Sequence, residues 1–273
     1  MNALKRLSLA LLLALACAAA SAEPRLSGQL QLAGSSTMAP LMTEIAKRFQ
    51  TLHPEVRIAV RMGGSGRGVS DARAGTADIG MVSRALSEGE RDLYGVPIAR
   101  DGVAVIVHRD NPVAALSERQ LVDIYTGKIV NWREVGGRDA SILVLAGPPQ
   151  RGSSELFVHY LRLGYEQFKA GKVVGDNAER IEAVAADAHA IVYVSLGEAE
   201  RDALAGVPIK LLPAGGVAAS SRSVRRGDFP ISRPLTLVAK GAPTGLARDF
   251  VEFCLSSQVT DIIRTLDFVP YLD

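Results

Sequence analysis

Cysteine is scarce in this sequence, which has two cysteines in 273 residues, Cys17 and Cys254. Cys17 lies in an N-terminal segment that we expect to be removed, so a mature chain keeps one cysteine and forms no internal disulfide bond. Cys254 shares an apolar helical stripe with Leu246, Phe250 and Phe253. That pattern predicts a thiol buried in the core and argues against a nucleophile.

Aromatic residues and an excess of basic charge are also lacking. Phe, Trp and Tyr make up 5% of the chain, which argues against stacking platforms for bases or sugars. The chain has 31 basic and 29 acidic residues, and loss of Lys5 and Arg6 with the N-terminal segment leaves 29 of each. A chain without net charge has no basic field to attract nucleic acid, so we expect no nucleic-acid partner.

Long apolar runs are confined to the N-terminus. Two basic residues are followed there by the apolar stretch 7–16 and by the small-residue motif ASA, which ends at Ala22. This order predicts a signal peptide, residues 1–22, with cleavage after Ala22 and export to the periplasm. A lipid anchor at Cys17 is the alternative, although the preceding ALA is a poor lipidation signal. The rest of the sequence has no run of about 18 apolar residues, the length that a membrane span needs.

Patterns typical of catalysis and metal binding are missing as well. The glycine-rich stretch MGGSGRG, residues 62–68, is neither a Walker loop nor a dinucleotide-binding motif. It is not a nucleophile elbow either, because Arg67 occupies the last glycine position. The histidines have no metal-ligand spacing, and no nucleophile is paired with a base. We therefore expect no metal, no cofactor and no enzyme activity, and interpret the chain as a binding protein. The histidines are His53, His108, His159 and His189.

The sequence does contain short apolar runs that alternate with amphipathic segments. This alternation predicts an α/β fold with mainly parallel sheets, in one large domain or two modest lobes. Capping boxes at Ser87 and Ser117 predict two helix starts. The predicted strands are residues 30–33, 56–60, 77–82, 103–107, 142–145, 191–194 and 235–239. The other predicted helices are residues 38–52, 69–74, 156–163, 246–257 and 259–266.

Three strand-to-helix junctions are rich in glycine and hydroxyl groups: residues 34–38 (GSSTM), 62–68 (MGGSGRG) and 150–155 (QRGSSE). Each offers unpaired backbone N–H groups, hydroxyl donors and the positive end of a helix dipole. Taken singly, each is more simply explained as a helix N-cap. Because such junctions gather at the carboxyl ends of strands, the three together predict an anion held by neutral dipoles.

These junctions lie in segments that resemble the phosphate-binding proteins of bacterial ABC importers, which have the two-lobed type II periplasmic-binding-protein fold. The resemblance runs from about residue 30 to the C-terminus. It implies a monomer that wraps inorganic phosphate, or a related tetrahedral oxyanion, and serves the membrane subunits of an importer. The matching segments are AGSSTMAPL, GGSGRGV, ADIGMVSR, IYTGKIVNW, AIVYVSLG and GDFPISRPLTL.

The resemblance also implies a division of the chain and a set of ligand-binding residues. We expect a first lobe of residues 23–104 with 233–273, and a second lobe of residues 105–232. Two hinge-crossing strands join them, one at residues 103–107 and one in GDFPISRPLTL. Three loops and the strand end in ADIGMVSR supply the contacts to the anion. The candidate ligand-binding residues are Ser36, Thr37, Met38, Ser65, Arg84, Arg151, Gly152 and Ser153.

Two positions depart from the pattern of the family. At Arg84, well-known phosphate binders have an aspartate that accepts the phosphate proton and repels sulfate, so this residue does not assure that choice. The usual arginine of the third loop is missing near Gly147, while Arg151 replaces a serine, and its guanidinium could grip two oxyanion oxygens. Alternatively, either arginine only neutralises a carboxylate. The carboxylates considered are Asp78, Asp101 and Glu155.

Two other functions stay open. The altered loops also fit an interaction, signalling or surface-attachment protein that keeps the fold. A periplasmic hydrolase of phosphate esters is disfavoured, because the sequence shows neither a metal cluster nor a nucleophile–base pair.

Overall fold

The computed structural model describes residues 26–272, which form ten strands and nine α-helices. The predicted signal peptide, its cleavage site and Cys17 lie outside the described residues. The strands are β1 (Ser27–Gly34), β2 (Glu55–Met62), β3 (Ile79–Val82), β4 (Tyr94–His108), β5 (Leu143–Ala146), β6 (Lys172–Val173), β7 (Ala190–Ser195), β8 (Ile209–Leu212), β9 (Ser232–Ala239) and β10 (Val269–Pro270).

Helices lie between most of the strands. The α-helices are α1 (Ala39–Leu52), α2 (Ser65–Ala74), α3 (Glu118–Tyr125), α4 (Gly152–Tyr160), α5 (Asn177–Ala186), α6 (Leu196–Leu204), α7 (Ser221–Arg226), α8 (Gly245–Leu255) and α9 (Thr260–Thr265). Short 3₁₀ turns span Glu88–Glu90, Trp132–Val135, Tyr165–Gln167 and Ser257–Val259. The apolar spacing of α1 is a clear cause of its formation, because its buried residues recur every three or four positions.

Strand β4 connects the two halves of the sheet. Its residues 94–102 pair antiparallel with β9, and its residues 103–108 pair antiparallel with β7 and β8. The strand order is β2-β1-β3-β9-β4-β7-β5-β6, and β8 and β10 also pair with β4. The chain returns just before β9, where the carbonyl of Ile231 accepts from the amide of Val103 at 2.8 Å. These two passages form the connection expected of the two-lobed fold.

Parallel pairing is found toward the outside of each half. Strand β1 is parallel to β2 and β3, and β5 is parallel to β6 and β7. The pairs that involve β4 or β9 are antiparallel. The expectation of mainly parallel sheets therefore holds away from the crossing strands, where the chain must run in both directions between the halves.

Each half has its own apolar core. In the first, α1 and α8 pack on the sheet, with the ring centroids of Phe49 and Phe250 at 5.3 Å. In the second, the ring centroids of Tyr125 and Tyr193 lie 6.0 Å apart, and a further cluster packs α5 against β7. Separate cores are what two lobes require, while the lobe boundaries given above stay a prediction.

Cys254 is buried in the first core, as predicted. Burial raises the pKa of its thiol, which disfavours the reactive thiolate. Among residues 26–272, no helix has the length and apolarity of a membrane span. The same residues contain no group of His, Cys, Asp and Glu that could hold a metal ion.

Candidate anion-binding site

The three glycine-rich and hydroxyl-rich junctions meet where the two halves of the sheet face each other. Strands β1 and β2 are parallel neighbours, so the loops after them lie at the same edge. The amides of Gly63 and Gly64 both donate to the carbonyl of Gly34, at 2.8 and 2.9 Å. The amide of Gly66 donates across to the carbonyl of Gln150 at 3.4 Å. The structure thus brings together all three junctions from the sequence.

Gly152 lies where the two halves come into close contact. It is the first residue of α4, and a Cβ atom there would lie 2.6 Å from Ser65 Oγ and 2.7 Å from Ser83 Oγ. Since real Cβ atoms keep a larger distance, only glycine allows this contact without a shift. The start of α4 therefore lies directly against the buried hydroxyls of the first half.

Arg151 links the third junction to the first. Its Nη1 donates to Ser36 Oγ at 2.9 Å. Its Nε–H is buried and meets no acceptor among the described residues. A buried donor without a partner costs free energy, and an anion bound in the cleft would be an acceptor for it. This arrangement favours the ligand role of Arg151 over simple neutralisation of a carboxylate.

An ion pair lies behind the site. Both side chains, Arg233 of β9 and Asp101 of β4, are 0% exposed, and Arg233 Nη2 lies 2.6 Å from Asp101 Oδ2. The carboxylate also accepts from Ser195 Oγ at 3.0 Å and from the amide of Gly197 at 3.2 Å. Both carboxylate oxygens of Asp101 thus accept from donors of the protein, and its negative charge balances the positive charge of Arg233.

Arg233 also donates to two hydroxyls at the site, that of the predicted Thr37 and that of Ser83, which was not predicted. Its Nη2 lies 3.3 Å from Thr37 Oγ1, and its Nη1 lies 3.3 Å from Ser83 Oγ. The amide of Ser83 in turn donates to Ser65 Oγ at 3.1 Å. Because the Thr37 hydroxyl accepts from Arg233, its own hydrogen remains available for an acceptor in the cleft. Ser65 Oγ and Ser83 Oγ lie 3.3 Å apart, so one of them donates to the other and this pair keeps one hydrogen for the cleft.

Asn177, at the start of α5, joins Thr37 to the second half. Its Nδ2 donates to Thr37 Oγ1 at 3.1 Å and to Glu198 Oε2 at 2.9 Å. Burial raises the pKa of Glu198, while the hydrogen bond from Asn177 opposes that shift. On the next turn of α5, Arg180 donates with both Nη atoms to Ser153 Oγ, each at 3.3 Å.

Met38 is completely buried at the start of α1, and its amide donates to Ser35 Oγ at 3.3 Å. The predicted contact of this amide with a ligand therefore requires the Ser35 hydroxyl to release it. The contact stays a prediction.

Arg84 is surrounded by carboxylates. Its Nη1 and Nη2 bind the two carboxylate oxygens of Glu90 at 2.7 and 2.8 Å, and its Nε contacts Glu155 of α4. The hydrogen bonds from Arg84 lower the pKa of Glu90 to about 2. Burial raises the pKa of Glu155, against the attraction of Arg84. Of the carboxylates considered from the sequence, Glu155 is the one that pairs with Arg84, and a direct ligand contact of Arg84 stays a prediction.

The sequence reasoning missed four of the residues in this arrangement. Arg233 lies within GDFPISRPLTL, which resembles the family but was interpreted only as a turn and a strand. A charged residue inside an otherwise apolar strand was the available signal there. The start of α5 gave no comparable signal, because α5 was not predicted. The four residues are Ser83, Asn177, Arg180 and Arg233. Asp101 was considered from the sequence, but only as a carboxylate that Arg84 or Arg151 neutralises.

Comparisons with known proteins agree with this geometry. The family model of the PBP superfamily domain matches residues 19–258. The phosphate-binding protein PstS of Bacillus subtilis is 31% identical over 260 residues, 93% of this chain and 84% of the relative.

Two solved structures are similar over nearly their whole length. A phosphate ABC transporter substrate-binding protein from Clostridium perfringens, with bound phosphate, has a TM-score of 0.83 and 31% identity, covering 89% of this chain and 99% of that one. An ABC-type phosphate transport receptor from Vibrio cholerae has a TM-score of 0.74 and 27% identity, covering 88% and 99%. The resemblance seen in the sequence is thereby confirmed, and the chain belongs to the PBP superfamily and, within it, to the family of bacterial phosphate-binding proteins.

Proposed function

We propose that this chain is an extracytoplasmic solute-binding protein that captures phosphate, or a similar tetrahedral oxyanion, for an ABC importer. The observation that carries the proposal is the meeting of three donor-rich helix starts, from both halves of the molecule, around buried hydroxyls that retain a hydrogen to donate. The relatives support it, since one is named a phosphate-binding protein and one structure holds phosphate.

The finer features belong to the same proposal. The chain acts as a monomer in the periplasm after cleavage behind Ala22, without a cofactor, a nucleic-acid partner or turnover. Its lobes are residues 23–104 with 233–273 and residues 105–232. Arg84 holds two loops beside the ligand through its ion pairs with Glu90 and Glu155. The residues proposed to contact the anion are the predicted ones, to which we add Ser83 because its amide donates to Ser65 Oγ. The predicted residues are Ser36, Thr37, Met38, Ser65, Arg84, Arg151, Gly152 and Ser153.

The binding mechanism follows from the donors. A tetrahedral oxyanion entering the cleft exchanges water for hydroxyls and for amides at the starts of α1, α2 and α4, whose dipoles favour negative charge. Arg151 adds a guanidinium with an unused N–H. Closure of the lobes excludes water, and the lower effective dielectric constant strengthens each of these interactions.

Calorimetric titration tests the proposal. The protein is unfolded, dialysed and refolded to remove bound anion, then titrated with phosphate and with sulfate at pH values below and above the second ionisation of phosphate. We expect phosphate to bind with a Kd of about 1 μM or tighter. Equal binding of sulfate would mean that the protein binds tetrahedral dianions in general and does not select phosphate. Failure to bind phosphate, sulfate, arsenate or molybdate would overturn the proposal and favour an interaction protein.

A further inference from the structure

Arg180 is a buried cation whose hydrogen-bond acceptors are all neutral. Its residue is 1% exposed. Its Nε donates to the carbonyl of Asp176 and its Nη1 to the carbonyl of Tyr193, both at 2.9 Å. Its Nη2 donates to Asn177 Oδ1 at 3.0 Å, and both Nη atoms reach Ser153 Oγ. Within residues 26–272 no carboxylate forms an ion pair with it, in contrast to Arg233.

Burying a cation without a carboxylate partner costs free energy, which a functional role of the charge would explain. Removing a charge from water without an opposite partner is strongly unfavourable. The pKa of Arg180 is lowered to about 10, mainly by burial; the nearby Arg151 and Arg233 act in the same direction, and Glu198 opposes them. The guanidinium is nevertheless protonated at neutral pH. The free energy of folding of the anion-free protein therefore does not by itself explain why a charged residue lies at this position.

The position of the guanidinium connects it to the site. It lies against Gly147 of the third loop, where a Cβ atom would come within 2.9 Å of Arg180 Nη1. The absence of a side chain at Gly147 thus makes room for the charge. From there both Nη atoms face Ser153, a predicted ligand residue in the first turn of α4.

The charges around the cleft are unevenly paired. Asp101 pairs with Arg233, and Glu90 and Glu155 both contact Arg84. Glu198 is held by Asn177, with no ion pair to Arg180 among the described residues. Arg180 is therefore a buried positive charge beside the cleft that lacks a carboxylate partner.

We infer that Arg180 is a positioning residue that supplies this charge to the anion through Ser153, and so favours a doubly charged tetrahedral oxyanion over a singly charged one. The inference rests on the proposed function. By donating to Ser153 Oγ, the guanidinium fixes the hydroxyl with its hydrogen directed away from Arg180 and polarises it. The anion then receives a strengthened hydrogen bond and the long-range attraction of a cation in a medium of low dielectric constant.

The test compares Arg180→Met with the wild type and with Arg109→Met. Arg109 also lies in the second half and also donates to a backbone carbonyl, that of Val207, but it is exposed. We expect Arg180→Met to weaken phosphate binding by about tenfold to a hundredfold, the range typical of charge-assisted hydrogen bonds. The loss should be larger above the second ionisation of phosphate than below it. Arg109→Met should bind as the wild type does.

The melting temperature of the anion-free protein distinguishes this role from a purely structural one. The substitution removes a buried charge but also the donor to several buried acceptors, and these effects on stability oppose each other. The apo melting temperature of Arg180→Met should therefore change little, while the affinity falls. Gly147→Ala, which displaces the guanidinium, should weaken phosphate binding in the same direction and keeps the inference testable if Arg180→Met does not fold. Wild-type affinity in Arg180→Met, or in Gly147→Ala when that is the variant that folds, would overturn the inference. A wild-type protein that binds no phosphate would instead overturn the proposed function.

Discussion

Thr37 shows how the surroundings of one hydroxyl decide its role. Its Oγ1 accepts from Arg233 at 3.3 Å and from Asn177 at 3.1 Å, so both acceptor positions are in use and the hydrogen is left for the cleft. A hydrogen bond to a charged group contributes about 1.5–3 kcal/mol. We therefore expect Thr37→Val, which keeps the shape, to weaken phosphate binding by about tenfold to a hundredfold in calorimetric titration.

Thr43 provides the matched control for that experiment. It lies on α1, and its hydroxyl donates to the carbonyl of Ala39 at 2.7 Å, within the helix. Thr43→Val should retain the wild-type affinity for phosphate. Wild-type affinity in Thr37→Val as well would contradict the assignment of Thr37 as a donor to the anion.

The sequence predicts the hydroxyls that face the cleft better than it predicts the arginines that donate to those hydroxyls. The hydroxyls of Thr37, Ser65 and Ser153 stand out because each lies in a short motif at a helix start. Arg233 lies 196 positions from Thr37 and Arg180 lies 27 positions from Ser153. No local pattern reports such pairs, since they depend on how the two halves are assembled.

Secondary-structure elements follow the sequence pattern in part. All seven predicted strands overlap observed strands, whereas the two-residue strands β6 and β10 and the four-residue strand β8 were not predicted. The helices α5, α6 and α7 were not predicted either. The capping box at Ser117 opens α3, but the one at Ser87 opens only the 3₁₀ turn Glu88–Glu90. A cap indicates where a helix can begin, and packing decides how far it extends.

The first turn of α4 carries a prediction about closure. A Cβ atom at Gly152 would lie 2.6 Å from Ser65 Oγ, so Gly152→Ala should hold the halves apart. Overpacking of this kind typically costs about 1–3 kcal/mol. We expect about tenfold weaker phosphate binding and a smaller decrease in the radius of gyration on addition of phosphate, measured by small-angle X-ray scattering.

Gly89→Ala is the control for Gly152→Ala, because a Cβ atom at Gly89 would meet nothing within 4 Å. It should bind phosphate and compact as the wild type does. Normal affinity and full compaction in Gly152→Ala would mean that the contact seen here is not required for closure.

For the molecule as a whole, polar contacts between the halves are concentrated at the site and the crossing strands. Arg84 binds Glu90 of the first half and contacts Glu155 of the second. The Asp101–Arg233 pair lies where β4 and β9 adjoin, and reaches Ser195 and Thr37 on either side. The network that surrounds the proposed anion site therefore also joins the two halves, and we expect ligand binding to be coupled to closure.

This network predicts how stability changes in acid. Arg84 holds the pKa of Glu90 at about 2 in the folded protein, below its ordinary value of 4.5. The unfolded chain therefore takes up the proton first, so the stabilisation is complete above about pH 4.5 and is lost as the pH falls towards about 2. Asp261, whose pKa Arg48 also lowers to about 2, contributes in the same window.

We expect the free energy of unfolding of the anion-free wild type to fall across this window, and to fall less steeply in Glu90→Gln. Denaturant unfolding at pH values between about 6 and about 2.5 measures both slopes. Glu88→Gln, an exposed neighbour paired with Arg91 at 3.2 Å, should keep the wild-type slope. A Glu90→Gln slope equal to that of the wild type would show that Arg84 does not lower the pKa of Glu90 in the folded protein.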